Sequence, residues 1–387
     1  MPAGVGARLV PNNIGGIFAG TGMKKRYKIL GSTAVVLAIA IGVFGFMLSR
    51  DAPCSAAPET SGDARAWQYR CYGGPDVMEL VNIPKPVPAD DEVLVRVHAA
   101  GTNPLDWHYL HGTPYVMRME AGFGKPEDPA LGVDFAGVVA AVGKSVTKFK
   151  PGDAVFGTRG GAFGEYVLVH ENRNIVAKPS NLSFVQAAAV PIAAITALQA
   201  LRDKGKVHAG QKVLVNGASG GVGTFAVQLA KNFGAEVTGV CSGRNMELVR
   251  SIGADHVVDY TQTDFTQGDV KYDVIIDTVG SHSFSEYRRA MNREGVLVIV
   301  GGPNDGKWLG PMTVVAKAPI YSKFVSQKFE FFLARVTPDD LDYLRGLLES
   351  GAVKVVIDRT YEFSEVPQAI RYLETGRARG KVVIDFD

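Results

Sequence analysis

The segment Gly217-Ala218-Ser219-Gly220-Gly221-Val222-Gly223 carries almost no side-chain bulk and follows Val213-Leu214-Val215 after a single Asn216. A helical pattern begins at once, with Phe225, Ala226, Leu229 and Ala230 apolar and Lys231 and Asn232 polar. A strand, a small-residue turn and a helix in that order can bind a pyrophosphate. The small residues let the backbone approach the phosphates, and the helix N-terminus offers free N–H donors and the positive end of its dipole. A glycine triplet alone is weak evidence; the flanking strand and helix make it a dinucleotide site. The next strand indicates which dinucleotide. Sites for NAD usually carry an acid at its end, bonded to the ribose 2′-hydroxyl. Here the strand runs into Cys241-Ser242-Gly243-Arg244-Asn245, with no carboxylate before Glu247. Ser242 can donate a hydrogen bond, and Arg244 can pair with a 2′-phosphate through its planar fork. The cofactor expected is therefore NADP(H).

These residues need a sheet behind them, and the chain supplies one. Strands are predicted at 236–240, 255–258, 272–277 and 296–300, with helices at 245–252 and 283–291 between them. Thr278, Val279 and Gly280 close the strand at 272–277, on the edge where ligands bind in such sheets. The strands are continuously apolar, as expected when helices cover both faces of a parallel sheet, and the alternation implies a doubly wound α/β fold. Upstream, Glu92–His98 alternates with period two, and further short strands follow at 137–142, 151–156 and 162–169, punctuated by Gly and Pro. That pattern suggests a small barrel. Downstream, helices are predicted at 338–350 and 366–375 and strands at 361–363 and 381–386.

Composition bounds the rest. The 387 residues are 46% hydrophobic and 21% charged, enough for two cores. With 41 basic and 39 acidic side chains the net charge is +2, so nothing points to nucleic acid. Cys54, Cys71 and Cys241 are widely spaced, and neither a zinc cluster nor a disulfide framework is expected. Residues 29–48 carry no charge and follow Lys24-Lys25-Arg26-Tyr27-Lys28. About 20 apolar residues span a bilayer core, so a single-pass N-terminal membrane helix is expected, with a cleaved signal peptide as the rival. The basic cluster puts the catalytic part outside the cytoplasm, where NADPH is not, so the membrane face stays open. Met23 before Lys24-Lys25 resembles a natural start, which would make 1–22 an extension. Residues 49–66 read as a flexible tether.

Several spaced motifs resemble the medium-chain dehydrogenase/reductase superfamily: Ala99-Ala-Gly-Thr-Asn-Pro-Leu-Asp106, Leu131-Gly-Val-Asp-Phe-Ala-Gly-Val138, Gly152-Asp-Ala-Val155, the glycine turn, and Arg379-Gly-Lys-Val-Val383. The resemblance is to its zinc-free quinone oxidoreductase branch, which includes zeta-crystallin and the alkenal/one oxidoreductases, with the reticulon-interacting mitochondrial oxidoreductases as the nearest sub-group. It implies a GroES-like barrel in two parts, 67–190 and 338–387, around a Rossmann domain at 191–337. The segments 1–28, 29–48 and 49–66 precede it as basic segment, membrane helix and tether. It also implies a homodimer and NADPH-dependent reduction of quinones or α,β-unsaturated carbonyls. The zinc branch has a metal-binding Cys where this chain has Asn103, and a Gly-His-Glu where it has Gly132-Val133-Asp134. Three protein ligands for catalytic zinc are not found, so no metal is expected.

By the same resemblance Asn103 lies beside nicotinamide and substrate, Thr196 faces the nicotinamide and Tyr260 lies near the adenosine phosphate. His108 and Tyr115 are the nearby groups able to donate a proton, and Asp106 buttresses their loop. Arg379 and Lys381 either reach phosphate or cover the surface. Two alternatives stay open: a membrane-tethered NADPH-binding sensor or scaffold without turnover, and a zinc-free alcohol dehydrogenase acting on simple ketones.

Overall fold

The computed structural model describes residues 39–56, 61–302, 306–308, 310 and 312–387. The chain divides into two units, residues 1–48 and 49–387.

Of the first unit, residues 39–48 are described and are helical; that helix ends at residue 49. Among the described residues no helix is long and apolar enough to cross a membrane, so the spanning helix predicted at 29–48 is not supported. Residues 29–38 of that prediction, and the possible alternative start at Met23, lie outside the described residues.

The second unit contains two large sheets. The first has seven strands: β3 (Glu92–Gly101), β4 (Asp134–Val142), β5 (Ala154–Thr158), β6 (Tyr166–His170), β7 (Ile175–Ala177), β14 (Ile357–Glu362) and β15 (Lys381–Asp385). Their order is β14-β15-β3-β4-β5-β7, with β6 also paired to β3. All pairings are antiparallel except β14 with β15. The last two strands arrive from the far end of the sequence. β15 pairs directly with β3, Val383 opposite Gly101, which brings Lys381 to the segment that carries Asn103. A separate hairpin joins β1 (Ala64–Tyr69) and β2 (Met78–Ile83).

The second sheet has six parallel strands: β8 (Lys212–Asn216), β9 (Glu236–Cys241), β10 (His256–Asp259), β11 (Tyr272–Asp277), β12 (Met291–Ile299) and β13 (Lys328–Phe331). Their order, β10-β9-β8-β11-β12-β13, is that of a doubly wound dinucleotide fold. Val213, Leu214, Val215, Ile275 and Ile276 are fully buried because helices cover both faces. β13 was not expected. Its Lys-Phe-Glu-Phe alternates because it is an edge strand, which exposes polar side chains that the central strands exclude. The helices that matter below are α1 (Pro104–His111), α2 (Phe184–Ala188), α3 (Pro191–Gln199) and α4 (Gly221–Asn232).

The tether and cysteine expectations need correction. Ala64–Ala66 already belong to β1. Cys54 and Cys71 form a disulfide with 4.8 Å between Cα atoms, within the usual range. Asp51 pairs with the buried Arg118 at 2.8 Å, and Ala52 N–H donates to Gly124 O at 2.8 Å. Residues 50–54 are thus fastened to the domain. Spacing along the chain could not reveal the pair, because β1 returns Cys71 to the start of the segment.

Candidate active site

The site is built around the C-terminal ends of β8 and β11, the point where the strand order reverses and α/β sheets bind ligands. Gly217 has φ +85°, and a Cβ there would lie 2.2 Å from Thr278 Oγ1. A Cβ on Gly223 would lie 2.0 Å from Gly217 O, so only glycine lets α4 pack this close to the turn. Gly220 is the N-cap of α4 and has no side chain to satisfy the helix's first N–H groups. Those donors suit an anion. Ala218 is fully buried and spends its N–H on Val240 O at 2.9 Å, whereas Val222 is half-buried at the start of α4. Ser219 Oγ accepts from Asn245 Nδ2 at 2.9 Å, which leaves its own hydrogen as a donor. Asn245 is 5% exposed, and its Oδ1 has no hydrogen-bond partner. Sequence reasoning read Asn245 only as the start of a helix and missed it as support for the turn. This cradle fits a dinucleotide.

Just past the C-terminal end of β9, Ser242 is half-buried and Arg244 exposed. The Arg244 guanidinium donates to Arg377 O at 3.1 Å. Tyr260 N–H donates to Cys241 O at 3.1 Å, and its side chain is largely exposed beside this loop. One acid was missed. The Asp259 carboxylate accepts from Thr261 N at 3.0 Å and Thr261 Oγ1 at 2.8 Å. With the Gly243 N–H these bonds hold it below the usual carboxylate range. Asp259 closes the third strand rather than the second, so the acid-at-strand-end rule did not reach it. Its acceptors are occupied by the loop it shapes.

Thr278, Val279 and Gly280 lie at the end of β11 as expected, but their polar groups are committed. Thr278 Oγ1 donates to Asn216 O at 2.8 Å, and the Val279 and Gly280 N–H groups donate to Asp277 Oδ1 at 3.1 and 3.0 Å. They form a wall rather than a set of donors. Beneath them Asn216 Nδ2 bonds Asp277 Oδ1 at 2.9 Å and Tyr287 OH at 3.3 Å, a buried network with no sequence signal.

The first sheet meets this turn through its last strand. Gly380 forms a parallel bridge with Gly220. Arg379 is exposed beside it and spends its N–H on Asp358 Oδ2 at 3.0 Å. Lys381 is the clear correction: it is only 3% exposed, so it neither covers the surface nor reaches a solvated phosphate. Its Nζ lies 2.6 Å from Asn103 Oδ1, 2.9 Å from Thr102 O and 3.5 Å from Asp134 Oδ2. Asn103 Nδ2 donates to Asp134 Oδ2 at 2.9 Å, and Ile192 N–H donates to Asp134 Oδ1 at 3.1 Å. Asn103 itself is buried, built into the wall of the site. Asp106 Oδ2 accepts the Asn103 N–H at 2.7 Å, while its buried Oδ1 has no partner. Burial pushes the Asp106 carboxyl up to about 7; the Asn103 N–H opposes this and the charge of Asp134 adds to it. Burial likewise raises the Asp134 carboxyl and lowers the Lys381 ammonium, and the charge of each opposes the shift of the other.

These residues do not fit a zinc ion. Zinc takes Cys, His or carboxylate ligands, whereas this cluster offers one amide, two carboxyls and an ammonium that repels a second cation. Among the described residues no group of three His, Cys, Asp or Glu side chains could hold a metal.

The proton-donor candidates diverge. His108 Nδ1 lies 2.7 Å from Thr113 O, which makes Nδ1 the protonated nitrogen and leaves Nε2 an acceptor. Burial pushes the His108 pKa below the ordinary histidine value, against the Thr113 hydrogen bond, which raises it, so the uncharged ring is favoured. Its ring stacks on Trp107 with 3.7 Å between centroids. Tyr115 is half-buried and meets Trp308 edge to face at 5.2 Å, with the Arg118 guanidinium 4.6 Å from its ring centre. Tyr115 N–H donates to Lys307 O at 2.6 Å and Val116 N–H to Trp308 O at 3.2 Å, so the loop after β12 seals against the residues after α1. Thr196 is the half-buried position of α3 between Ala193 and Gln199, whose other side chains are buried.

Comparisons with known proteins agree with this geometry. Residues 89–180 match the family "Alcohol dehydrogenase GroES-like domain" and residues 252–384 the family "Zinc-binding dehydrogenase". The chain is 35% identical over 354 residues to the Homo sapiens "NAD(P)H oxidoreductase RTN4IP1, mitochondrial", covering 83% of this chain and 88% of that one. It is also 35% identical over 354 residues to the Arabidopsis thaliana "NADPH-dependent alkenal/one oxidoreductase, chloroplastic", covering 85% and 83%. The solved Escherichia coli quinone oxidoreductase complexed with NADPH superposes with a TM-score of 0.71 at 25% identity, over 84% of this chain and 100% of that one. Both sequence relatives carry organellar names. The expected localisation as a single-pass membrane protein is corrected by the described residues, among which no helix is long and apolar enough to cross a membrane. From the glycine turn at the strand-order switch to the matched relatives, this chain belongs to the medium-chain dehydrogenase/reductase superfamily, alongside its quinone and alkenal oxidoreductases.

Proposed function

We propose that the chain transfers hydride from NADPH to quinones or α,β-unsaturated carbonyls, without zinc. The observation that carries this is the meeting of the dinucleotide turn, through Gly220 and Gly380, with a buried cluster whose cation is the Lys381 ammonium. The relatives' printed names, alkenal/one and quinone oxidoreductase, supply the substrate classes.

Bound NADPH supplies the hydride. Everything else falls to the chain's own groups: binding, orientation and placement of charge. The backbone of Gly217–Gly223, the Ser219 hydroxyl and the N-terminus of α4 take the pyrophosphate. Ser242 and Arg244 take the 2′-phosphate, Tyr260 flanks the adenosine and Arg379 borders the phosphates. Thr196, Asn103 and the wall at Thr278–Gly280 bound the nicotinamide. The Tyr115 hydroxyl is the donor for a substrate oxygen. His108, neutral and donating through Nδ1, acts by packing and as an acceptor rather than as an acid. An enone needs a proton after hydride addition, whereas a hydroquinone anion takes one from water.

The barrel at 67–190 and 338–387 and the NADP domain at 191–337 belong to this reading, as does a homodimer, which light scattering would test. The sensor alternative finds no membrane-spanning helix among the described residues. The functional test is NADPH oxidation with a panel of quinones and enals, before and after a chelator. Turnover of both classes, unaffected by chelation, is expected. Turnover of simple ketones alone, or activity lost with a stoichiometric metal, would overturn the proposal.

A further inference from the structure

We propose that Lys381 is a positioning residue for hydride transfer: it fixes the orientation of the Asn103 amide and ties it to the first turn of the dinucleotide helix. This rests on the NADPH-dependent function proposed above.

An ammonium has three donors and no acceptor. Those of Lys381 have three acceptors within reach: Asn103 Oδ1 at 2.6 Å, Thr102 O at 2.9 Å and Asp134 Oδ2 at 3.5 Å. None is left for a substrate, so Lys381 acts through its neighbours. Its charge decides which way the Asn103 amide faces. The oxygen must turn to the ammonium and the nitrogen to the Asp134 carboxylate, 2.9 Å away. The opposite orientation would put an NH2 group against an ammonium and an oxygen against a carboxylate. With its oxygen anchored and one N–H held by Asp134, Asn103 has one N–H left. It is bound only weakly, to Gly101 O at 3.5 Å, a long bond that a better-placed acceptor at the site would replace.

The stem of the same lysine crosses to the cofactor side. A Cβ placed on Gly221, the first residue of α4, would lie 3.1 Å from Lys381 Cδ and 3.6 Å from Gly380 O. Lys381 thus lies against the helix that receives the pyrophosphate while its head holds Asn103. One side chain thus packs its stem against the first residue of α4 and holds the Asn103 amide with its head.

The test is a double-mutant cycle in the full chain: wild type, Lys381→Met, Asn103→Ala and the double variant. Three readouts are taken: NADPH affinity, fluorescence anisotropy decay of the bound nicotinamide, and the single-turnover hydride rate with one quinone. Lys381→Met should slow hydride transfer by about tenfold to a hundredfold, the scale of a slightly misplaced reactant, and loosen the bound nicotinamide, while NADPH affinity stays nearly unchanged. Added to Asn103→Ala it should change neither readout further. Additive losses, or a Lys381→Met enzyme with wild-type rate and anisotropy, would overturn the proposal. If Lys381→Met fails to fold because Asp134 is left unpaired, Lys381→Met/Asp134→Asn removes both charges and should show the same losses; wild-type behaviour there overturns the proposal equally. A wild type that binds NADPH but turns over no quinone or enone would sink the functional reading, and the anisotropy cycle would still decide this one.

Discussion

Arg244→Ala is the sharpest test of the cofactor assignment. The perturbation removes the cationic group in the loop after β9 and leaves the glycine turn untouched. Arg244 is exposed, and its guanidinium rests on Arg377 O at 3.1 Å, so the fork is partly held before any phosphate arrives. A hydrogen bond to a charged group contributes about 1.5–3 kcal/mol, and exposure to salt places Arg244 at the lower end. That corresponds to roughly a tenfold rise in the NADPH Kd. NADH has no 2′-phosphate and should lose less than twofold. The assay is titration by nicotinamide fluorescence with both cofactors at low and physiological ionic strength, and the NADPH penalty should shrink as salt rises. Equal weakening of both cofactors would show that Arg244 supports the loop through Arg377 and does not read the phosphate.

Other consequences follow from the same geometry. Gly223→Ala should lower stability sharply, because its Cβ would lie 2.0 Å from Gly217 O; Gly221→Val should keep the fold by circular dichroism yet abolish NADPH binding, since it presses on the Lys381 stem and blocks the phosphates' approach. Retained micromolar NADPH binding in Gly221→Val would refute that placement. Burial holds the Asp106 carboxyl up at about 7, above the ordinary aspartate value of about 4, so between the two the folded state keeps a proton that the unfolded chain releases. Its contribution therefore weakens stability as pH rises from about 4 to 7, by at most about 4 kcal/mol. Asp106→Asn should flatten that part of the pH profile in urea unfolding, and parallel profiles would contradict the buried-proton argument. Cys54→Ser should cost up to about 3 kcal/mol on chain-entropy grounds, read as a lower Tm that matches reduced wild type; an unchanged Tm would mean that the Asp51–Arg118 pair alone fastens the segment.

Much of the nucleotide fold was legible because its signals are local. Val213–Val215, the glycines and the apolar face of α4 follow one another within a single unit, and strand β11 covers residues 272–277, the span predicted around Val274–Ile276. The edge strand β13 was not, because half-exposed alternation at Lys328–Phe331 carries little hydrophobic signal. Asn103 was found by motif, but its partners were not: Lys381 lies 278 residues away, and only the pairing of β15 with β3 brings them together. The same holds for Cys54 with Cys71 and for Asn245 under Ser219. The membrane expectation failed for a different reason. An uncharged run meets the length criterion from composition alone, and the helix described there covers only residues 39–49.

The central claim is direct hydride transfer from NADPH to carbon or quinone at the junction of the two sheets. It is tested most directly with NADPH carrying deuterium at C4, one enal, and product analysis by NMR. The expected result is one deuterium on the carbon β to the carbonyl, with a primary isotope effect on the single-turnover rate. Deuterium at the carbonyl carbon, as in alcohol formation, or none in the product would contradict it.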